Sequence, residues 1–317
     1  MKIVFLDAHT MNAVNDLSYA ALQELGSLHL YPFTTVAEEA ERVADATILI
    51  VNKHKVTAAL LSHAPSLQYI VVAATGYNNI DLSATAARNI PVSNVRAYST
   101  EGVAQYVLSA MLAHYHKLAY YFGETAKGRW QLQTDFCFYD HSIQNLSAKT
   151  LGIIGFGTIG KRVASLAHAF GMQVLVHTAY PVPDAYVFVQ PVALADIFSK
   201  ADVLSLHTPL NERTREMINA ASLASMKPAA LLINTGRGAL VHEADLANHL
   251  KAQRAFTAML DVLTSEPPLD DQLTSLPNCH ITPHLAWASQ QSRTQLLAGM
   301  VELVKNFQQG NLQNVVG

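Results

Sequence analysis

The feature that most constrains the fold is an alternation of short, continuous apolar runs with segments of helical periodicity. The runs in the first third are KIVFLD, LHLYPF, TILIVN, QYIVVAA and PVSNV, and a second series comprises TLGIIG, QVLVHT, DVLSLHT, ALLINT, FTAMLDV and HITPH. Strands that are apolar at every position are typical of parallel sheets buried on both faces. The sequence therefore predicts an α/β protein with two doubly wound parallel sheets. Helices are predicted between the runs, among them one over Ala13–Leu25, and a long helix is predicted over Thr100–Phe122 between the two series.

Length and composition agree with two globular domains. The chain has 317 residues, and a domain typically takes roughly 150. Half of the residues are hydrophobic and 14% are charged, which excludes a disordered chain. The net charge is −3 and no basic stripe is present, so a nucleic-acid partner is not expected.

Cysteine usage and hydropathy predict a cytoplasmic protein. Cys137 and Cys279 are far apart and lack the spacing of a metal site, so we interpret them as reduced thiols and expect no metal. The apolar run near the N-terminus is shorter than a secretory signal requires, and no run approaches the ~18 apolar residues of a membrane span. We therefore expect no membrane association.

A glycine-rich string, GFGTIG at residues 155–160, lies between an apolar strand and a helix, and a second strand follows. This is the βαβ context of dinucleotide binding. Gly155 would form the tight turn, Gly157 would let backbone N–H groups approach a pyrophosphate, and Gly160 would allow close packing of helix on strand. Thr158 and Ile159 begin the helix, whose N-terminus favours an anion. A structural turn without a ligand remains the alternative.

One element of the dinucleotide fingerprint is missing. An acidic residue is expected about 20 positions after the glycines, where it binds the adenosine ribose. Thr178 occupies that place, and the next acid is Asp184. Lys161 and Arg162 are possible partners for a 2′-phosphate, whereas Thr178 suits a hydroxyl. We expect NAD as the cofactor, with NADP as an alternative.

Three charged or titratable residues follow strands of the second series. In LINTGRGALV (232–241), Arg237 stands between two glycines; Glu266 and His284 follow later runs. Ligands of doubly wound sheets bind outside the carboxyl ends of the strands, so these side chains are predicted at the dinucleotide edge. Taken singly, each also has a structural explanation: a solvated arginine, a loop glutamate or a core histidine.

Taken together, these motifs resemble the D-isomer-specific 2-hydroxyacid dehydrogenases over essentially the whole chain. The matching stretches are GFGTIG, LHTPL (206–210), LINTGRGALV, DVLTSEPP, ITPHLAW (281–287), AATGYNNIDL (73–82) and NVRAYSTEGVAQ (94–105). The combination of ATGYNNIDL, NVRAYST and DFCFYDHSI is most similar to the glycerate dehydrogenase, or hydroxypyruvate reductase, branch.

The resemblance implies catalytic roles that agree with the chemistry of keto-acid reduction. His284 would supply the proton for the developing alkoxide, and Glu266 would favour the charged imidazolium. Arg237 would bind the carbonyl and the carboxylate of the substrate. Thr75 and Gly76 would receive that carboxylate with backbone N–H groups, although an ordinary β-turn explains the same stretch.

The resemblance also implies the cofactor lining and the domain plan. Further cofactor-binding candidates are Thr100, His207, Thr208, Thr235, Asp261 and His284, with Asp261 directed at the nicotinamide carboxamide. A flavodoxin-like substrate domain would comprise 1–98 and a C-terminal helix, 289–317. A Rossmann domain binding NAD(P) would occupy 99–288. The aromatic-rich stretch 128–149 would contact a partner subunit in a homodimer or fold on its own domain.

We therefore expect an NAD(P)-dependent oxidoreductase acting on a small D-2-hydroxy acid or 2-keto acid. Glycerate and hydroxypyruvate are the first candidates, and glycolate and glyoxylate the second. A non-catalytic NAD(H)-sensing binding protein with the same fold is the main alternative, and a methyltransferase is a weaker one. The chain lacks the H-E-x-x-H and G-x-S-x-G motifs of metal and serine hydrolases.

Overall fold

The computed structural model describes residues 1–317, except for the side chain of Ala148. The described residues divide into two compact units. Unit 1 comprises Met1–Ser99 together with Trp287–Gly317, and unit 2 comprises Thr100–Ala286.

Short strands and helices alternate along both units. The strands are β1 (Lys2–Phe5), β2 (Ser27–Leu30), β3 (Ile48–Val51), β4 (Tyr69–Val72), β5 (Val92–Asn94), β6 (Thr150–Ile154), β7 (Gln173–His177), β8 (Val189–Pro191), β9 (Val203–Leu206), β10 (Leu231–Asn234), β11 (Thr257–Leu260) and β12 (Cys279–Ile281). The α-helices are α1 (Ala20–Gln23), α2 (Val36–Val43), α3 (Ala58–Ser62), α4 (Leu82–Ala87), α5 (Thr100–His116), α6 (Leu118–Ala126), α7 (Thr158–Ala169), α8 (Leu194–Lys200), α9 (Ala220–Ala224), α10 (Glu243–Ala252) and α11 (Gln290–Gln308).

The sheet of unit 1 is parallel, with strand order β2-β1-β3-β4-β5. Ile3 and Phe5 of β1 join a hydrophobic cluster that includes Met300 of α11. Val4, between them, joins the opposite cluster with Leu60 of α3. Both faces of the sheet are therefore buried, as the continuous apolar runs predict.

Side-chain caps begin three helices of unit 1. Thr57 accepts a hydrogen bond from the N–H of Leu60 at 3.2 Å, at the start of α3. Asp81 caps α4 and Ser289 caps α11 in the same way. A cap of this kind contributes about 1 kcal/mol to helix stability, because it satisfies a backbone donor that has no partner within the helix.

The sheet of unit 2 is also parallel, with strand order β12-β11-β10-β9-β6-β7-β8. On one face Ile153 of β6 packs in a cluster with residues of α5 and α7. On the other face Leu204 of β9 packs in a cluster with residues of α8, α9 and α10. This is the doubly wound architecture predicted from the sequence.

Two helix predictions were wrong in extent. A helix was predicted over Ala13–Leu25, but only α1 forms, because the Asn12 side chain bonds the N–H and the carbonyl of Leu17 and stabilises an irregular turn. A continuous helix was predicted over Thr100–Phe122. Lys117 adopts the left-handed conformation (φ 54°) and separates α5 from α6.

Membrane-spanning helices, clusters of metal ligands and disulfide bonds are absent from the described part of the chain. None of its helices combines the length and apolar character that crossing a bilayer requires. Its histidine, cysteine and acidic side chains form no group of three or more suited to a metal ion. Both cysteines are free thiols; Cys137 is exposed and Cys279 is buried.

Candidate active site

The predicted site residues of unit 2 lie at one edge of its sheet. Because the paired strands are parallel, their carboxyl ends meet at that edge. Gly155 and Gly157 follow β6, Thr178 follows β7, His207 and Thr208 follow β9, Thr235 and Arg237 follow β10, Asp261 and Glu266 follow β11, and His284 follows β12. Thr158, Ile159 and Gly160 form the first turn of α7, and Thr100 begins α5.

The glycine-rich turn has the shape of an anion cradle. Gly155 has a φ of +94°, and a Cβ there would lie 2.5 Å from the carbonyl carbon of His207. A Cβ on Gly160 would lie 2.3 Å from the carbonyl oxygen of Gly155. Around Gly157, in contrast, no heavy atom lies within 4 Å of such a Cβ. The N-terminus of α7 is therefore open to a ligand where its backbone N–H groups begin, and it fits a pyrophosphate.

Buried polar groups near the same edge also fit a cofactor. The Thr235 hydroxyl is buried and has no hydrogen-bond partner among the described residues. Such a group costs free energy unless a ligand or water satisfies it. The His207 ring contacts the Ser205 hydroxyl at 2.8 Å, and burial lowers the pKa of His207 to about 4. His207 is therefore a neutral polar group at physiological pH.

The end of β7 carries no carboxylate. Thr178 accepts a hydrogen bond from the N–H of Tyr180 at 3.2 Å, and Tyr180 is largely exposed. The nearest acid that follows, Asp184, lies in a separate short helical turn. The position that usually discriminates between a ribose hydroxyl and a phosphate is thus uncharged in this chain.

The turn that carries Arg237 is held by a buried amide. Asn234 is 0% exposed; its Nδ2 donates to the Arg237 carbonyl (2.9 Å), and its Oδ1 accepts from the N–H of Gly236 (3.0 Å). A Cβ on Gly238 would lie 1.9 Å from the carbonyl carbon of Leu263, so glycine is required there. Within the described residues, Arg237 forms no ion pair with a carboxylate. Its guanidinium can therefore bind an anionic ligand.

His284 and Glu266 form a hydrogen-bonded pair. Nδ1 of His284 lies 2.6 Å from Oε2 of Glu266, and the other oxygen of Glu266 accepts from the N–H of Leu263 at 3.0 Å. Glu266 therefore fixes the orientation of the imidazole through its Nδ1. His284 has a φ of +51°, which costs a non-glycine residue about 1–2 kcal/mol. Its N–H donates to the Asp261 carbonyl at 2.9 Å.

Asp261 is buried against the segment that carries His284. Its carboxylate accepts from the Thr282 hydroxyl (2.6 Å) and from the N–H groups of Leu285 (2.8 Å) and Ala286 (2.9 Å). The Tyr106 hydroxyl in turn contacts that of Thr282 at 2.6 Å. Neither Thr282 nor Tyr106 was predicted from the sequence to belong to the site. The hydroxyl two positions before the histidine in ITPH was the available signal for Thr282.

The two substrate-binding candidates outside this unit follow β4 in unit 1. The Thr75 hydroxyl donates to the Val95 carbonyl at 3.1 Å, and the Thr75 carbonyl accepts from the Asn94 side chain at 2.6 Å. The N–H groups of Thr75 and Gly76 have no acceptor among the described residues. The turn is thus anchored by its other polar groups and leaves two N–H donors for a ligand.

Comparison with known proteins agrees with this geometry. Residues 108–286 match the family described as D-isomer specific 2-hydroxyacid dehydrogenase, NAD binding domain. A glycerate dehydrogenase of Methylorubrum extorquens is 37% identical over 99% of this chain and 98% of its own. A hydroxypyruvate reductase of Blautia hydrogenotrophica is 34% identical over 100% of this chain and 99% of its own. The structure of an Aquifex aeolicus D-lactate dehydrogenase with NAD and lactic acid is similar to this structure, with a TM-score of 0.86. The two sequences are 28% identical, and the match covers 99% of this chain and 98% of the dehydrogenase chain.

Proposed function

Since this chain belongs to the D-isomer-specific 2-hydroxyacid dehydrogenase family, we propose that it interconverts D-glycerate and hydroxypyruvate. The chain is an enzyme of this family, whose NAD-binding domain matches residues 108–286. One observation carries the proposed chemistry: the 2.6 Å pair of His284 and Glu266 lies at the sheet edge that also bears Arg237.

Three side chains of unit 2 have separate roles in the proposed reaction. When bound, the reduced nicotinamide supplies a hydride to the carbonyl carbon of the keto acid. Arg237 binds the carboxylate and carbonyl oxygen, and its charge stabilises the developing alkoxide. His284 donates the proton from Nε2 to that oxygen, and Glu266 stabilises the imidazolium before the transfer. The keto acid, one hydride and one proton thus give the hydroxy acid.

Unit 1 supplies the proposed contact to the substrate carboxylate. The N–H groups of Thr75 and Gly76 lack acceptors among the described residues, while the hydroxyl and carbonyl of Thr75 are engaged. Adjacent N–H donors in a turn bind a small anion well. We assign unit 1 as the substrate domain and unit 2 as the cofactor domain.

The function is tested by following oxidation of NADH with hydroxypyruvate, glyoxylate, pyruvate and longer 2-keto acids. We expect the highest kcat/KM with hydroxypyruvate and slower turnover of glyoxylate, because only the former offers a hydroxymethyl group to bind. In the reverse direction D-glycerate should react and L-glycerate should not. A chain that binds NADH tightly but oxidises it with none of these acids would instead be an NAD(H)-sensing protein.

We propose that the cofactor site accepts NAD and, less well, NADP. Thr178 is uncharged, so it binds a ribose 2′-hydroxyl less strongly than an acidic residue would, and it does not repel a 2′-phosphate. Replacing Thr178→Asp should raise the NADH over NADPH preference by about tenfold or more, since the carboxylate repels the phosphate. Fluorescence titration of each cofactor measures the two Kd values. Thr178→Ser is the matched control, and equal changes in both Kd values would contradict this assignment.

We also propose a homodimer formed through the irregular segment 128–143. Arg129 donates to both oxygens of Asp140 (2.8 and 2.5 Å) and lies 4.6 Å from the ring centroid of Phe138. The hydrogen bonds from Arg129 lower the pKa of Asp140 to about 2, so the pair stays charged at neutral pH. These contacts hold the segment in one conformation.

The outer surface of this segment is apolar. Leu132 is 83% exposed and Phe136 is 88% exposed, and Tyr139 lies largely in solvent as well. Several large exposed apolar side chains on one ordered segment are typical of a protein interface. A second copy of the chain is the proposed occupant.

Introducing charge on this surface should therefore separate the subunits. We expect Leu132→Asp combined with Phe136→Asp to shift the chain from dimer to monomer in light scattering after size exclusion. The matched control is Val187→Asp, which adds a charge at an 89% exposed position of the same unit but outside the segment. A wild-type monomer, or a variant that remains dimeric, would contradict the proposed interface.

We propose a cytoplasmic location for the enzyme. Both cysteines are free, as expected in a reducing compartment, although Cys137 is exposed. Fractionation of cells expressing the protein without a tag tests this.

A further inference from the structure

The conformation of the His284 segment depends on one buried carboxylate. Asp261 is 2% exposed, and its oxygens accept from Thr282, Leu285 and Ala286, which lie on both sides of His284 in the chain. Residues 282–286 therefore fold around Asp261, and His284 occupies the middle of this fold with its strained φ of +51°. Strain of this kind persists only where surrounding contacts fix it.

The hydrogen bonds that Asp261 accepts determine which hydroxyl donates in the contact between Tyr106 and Thr282. The carboxylate accepts from the two backbone N–H groups, and the single proton of the Thr282 hydroxyl also goes to it. In the 2.6 Å contact between Tyr106 and Thr282, the threonine can then only accept, so Tyr106 donates. Burial, followed by the charge of Asp261, raises the pKa of Tyr106 and keeps this hydroxyl protonated. The result is a directed chain from Tyr106 through Thr282 to Asp261.

Tyr106 lies in α5, a different element from those that carry the other members of this chain. It is 176 residues from Thr282 in sequence. The helix packs on the sheet through Val107 and Met111, which are buried in the same cluster as Ile153 of β6. Tyr106 is therefore fixed by the core of unit 2 and can hold residues 282–286, which form neither helix nor strand.

We propose that Tyr106 is a positioning residue for proton transfer: through Thr282 it holds residues 282–286 around Asp261 and so aligns His284 with Glu266. The inference rests on the proposed function, because alignment matters only if His284 transfers a proton. Tyr106 itself need contact neither substrate nor cofactor.

The test is Tyr106→Phe, which removes only the hydroxyl. We expect kcat with the preferred keto acid to fall about tenfold, while KM for the keto acid and the Kd for NADH change less than about twofold, since the lost bond orients the proton donor only. Tyr115→Phe, nine residues or roughly 13 Å further along α5, is the matched control and should retain wild-type kcat. An unchanged kcat in Tyr106→Phe, or an equal fall in the control, would overturn the inference.

A double-mutant cycle separates positioning from loss of packing. Thr282→Val has the shape of threonine without the hydroxyl, and it should lower kcat at least as much as Tyr106→Phe. In the Thr282→Val background, Tyr106→Phe should have no further effect, and Thr282→Ser should retain most of the activity. Effects that multiply would show that the two hydroxyls act independently and would overturn the proposed chain.

Amide hydrogen exchange gives a measurement that does not require activity. Tyr106→Phe should accelerate exchange in a peptide containing Leu285 and Ala286, whose N–H groups bind Asp261, and leave α7 unchanged. Unchanged exchange in that peptide would count against the inference. A wild-type chain inactive on every keto acid would instead refute the proposed function, while the exchange result would still decide whether Tyr106 holds the segment.

Discussion

His284→Ala is expected to lower kcat for keto-acid reduction by about 10²–10⁴-fold, the usual contribution of a positioned general acid. The imidazole is the group hydrogen-bonded to Glu266 at 2.6 Å, and removing it leaves no proton donor at that position. The Kd for NADH should change little, because the glycine-rich turn at α7 is untouched. Stopped-flow measurement of hydride transfer, together with NADH titration, separates the two effects.

Two further variants make this prediction specific. Glu266→Gln keeps a hydrogen-bond acceptor for the imidazole but removes the charge, so its kcat should fall by about 10–100-fold, between wild type and His284→Ala. His63→Ala, on the surface of unit 1, should retain wild-type activity. Near-normal turnover by His284→Ala would exclude this residue as the proton donor.

Eleven of the twelve strands were predicted, because burial on both faces of a sheet gives continuous apolar runs. Strand β8 was missed, since it lies at the edge of its sheet and only Val189 of its three residues is buried. TILIVN contains β3 and ALLINT contains β10, and neither run has a polar residue within the strand core until its carboxyl end. The same rule places the candidate site, since residues that follow parallel strands must meet at one edge. For this reason Arg237, Glu266 and His284 could be assigned to that edge without coordinates.

Helix boundaries were less predictable, because they depend on local contacts that apolar periodicity does not report. The run VLSAMLAHYHKLAYYF continues through Lys117, where the structure nevertheless separates α5 from α6. Half of the residues of helix α2 are charged, and its start carries a capping box of Thr35 and Glu38. The spacing of these two residues is a signal of a helix start that apolar periodicity does not contain.

Contacts between distant parts of the chain could not be derived from the sequence. Asp261 is predicted from the resemblance to lie beside the cofactor, and this role stays a prediction. The structure shows its carboxylate engaged by Thr282, Leu285 and Ala286. Whether a strand-end acid faces a ligand or its own loop depends on side-chain packing, and strand order alone does not determine it.

Arg237→Gln is the second prediction with a large expected effect. We expect kcat/KM for hydroxypyruvate to fall by about 10²–10³-fold, because an uncharged amide cannot provide the charge-assisted, paired hydrogen bonds of a guanidinium. Arg237→Lys restores the charge without the planar fork and should recover only part of this loss. Because Asn234 and Gly238 hold the turn through its backbone and close packing, neither substitution should unfold it.

The measurement is steady-state kinetics with hydroxypyruvate and, separately, with a keto compound that lacks the carboxylate. For the wild type, kcat/KM should be much higher for hydroxypyruvate than for the compound without a carboxylate. For Arg237→Gln the two kcat/KM values should be more similar, because the residue proposed to bind the carboxylate is gone. Arg254→Gln, at an exposed position after α10, is the matched control and should behave as wild type. If Arg237→Gln kept the full preference for the carboxylate, the substrate anion would have to bind elsewhere. The Arg237 guanidinium, which forms no ion pair among the described residues, would then need another explanation.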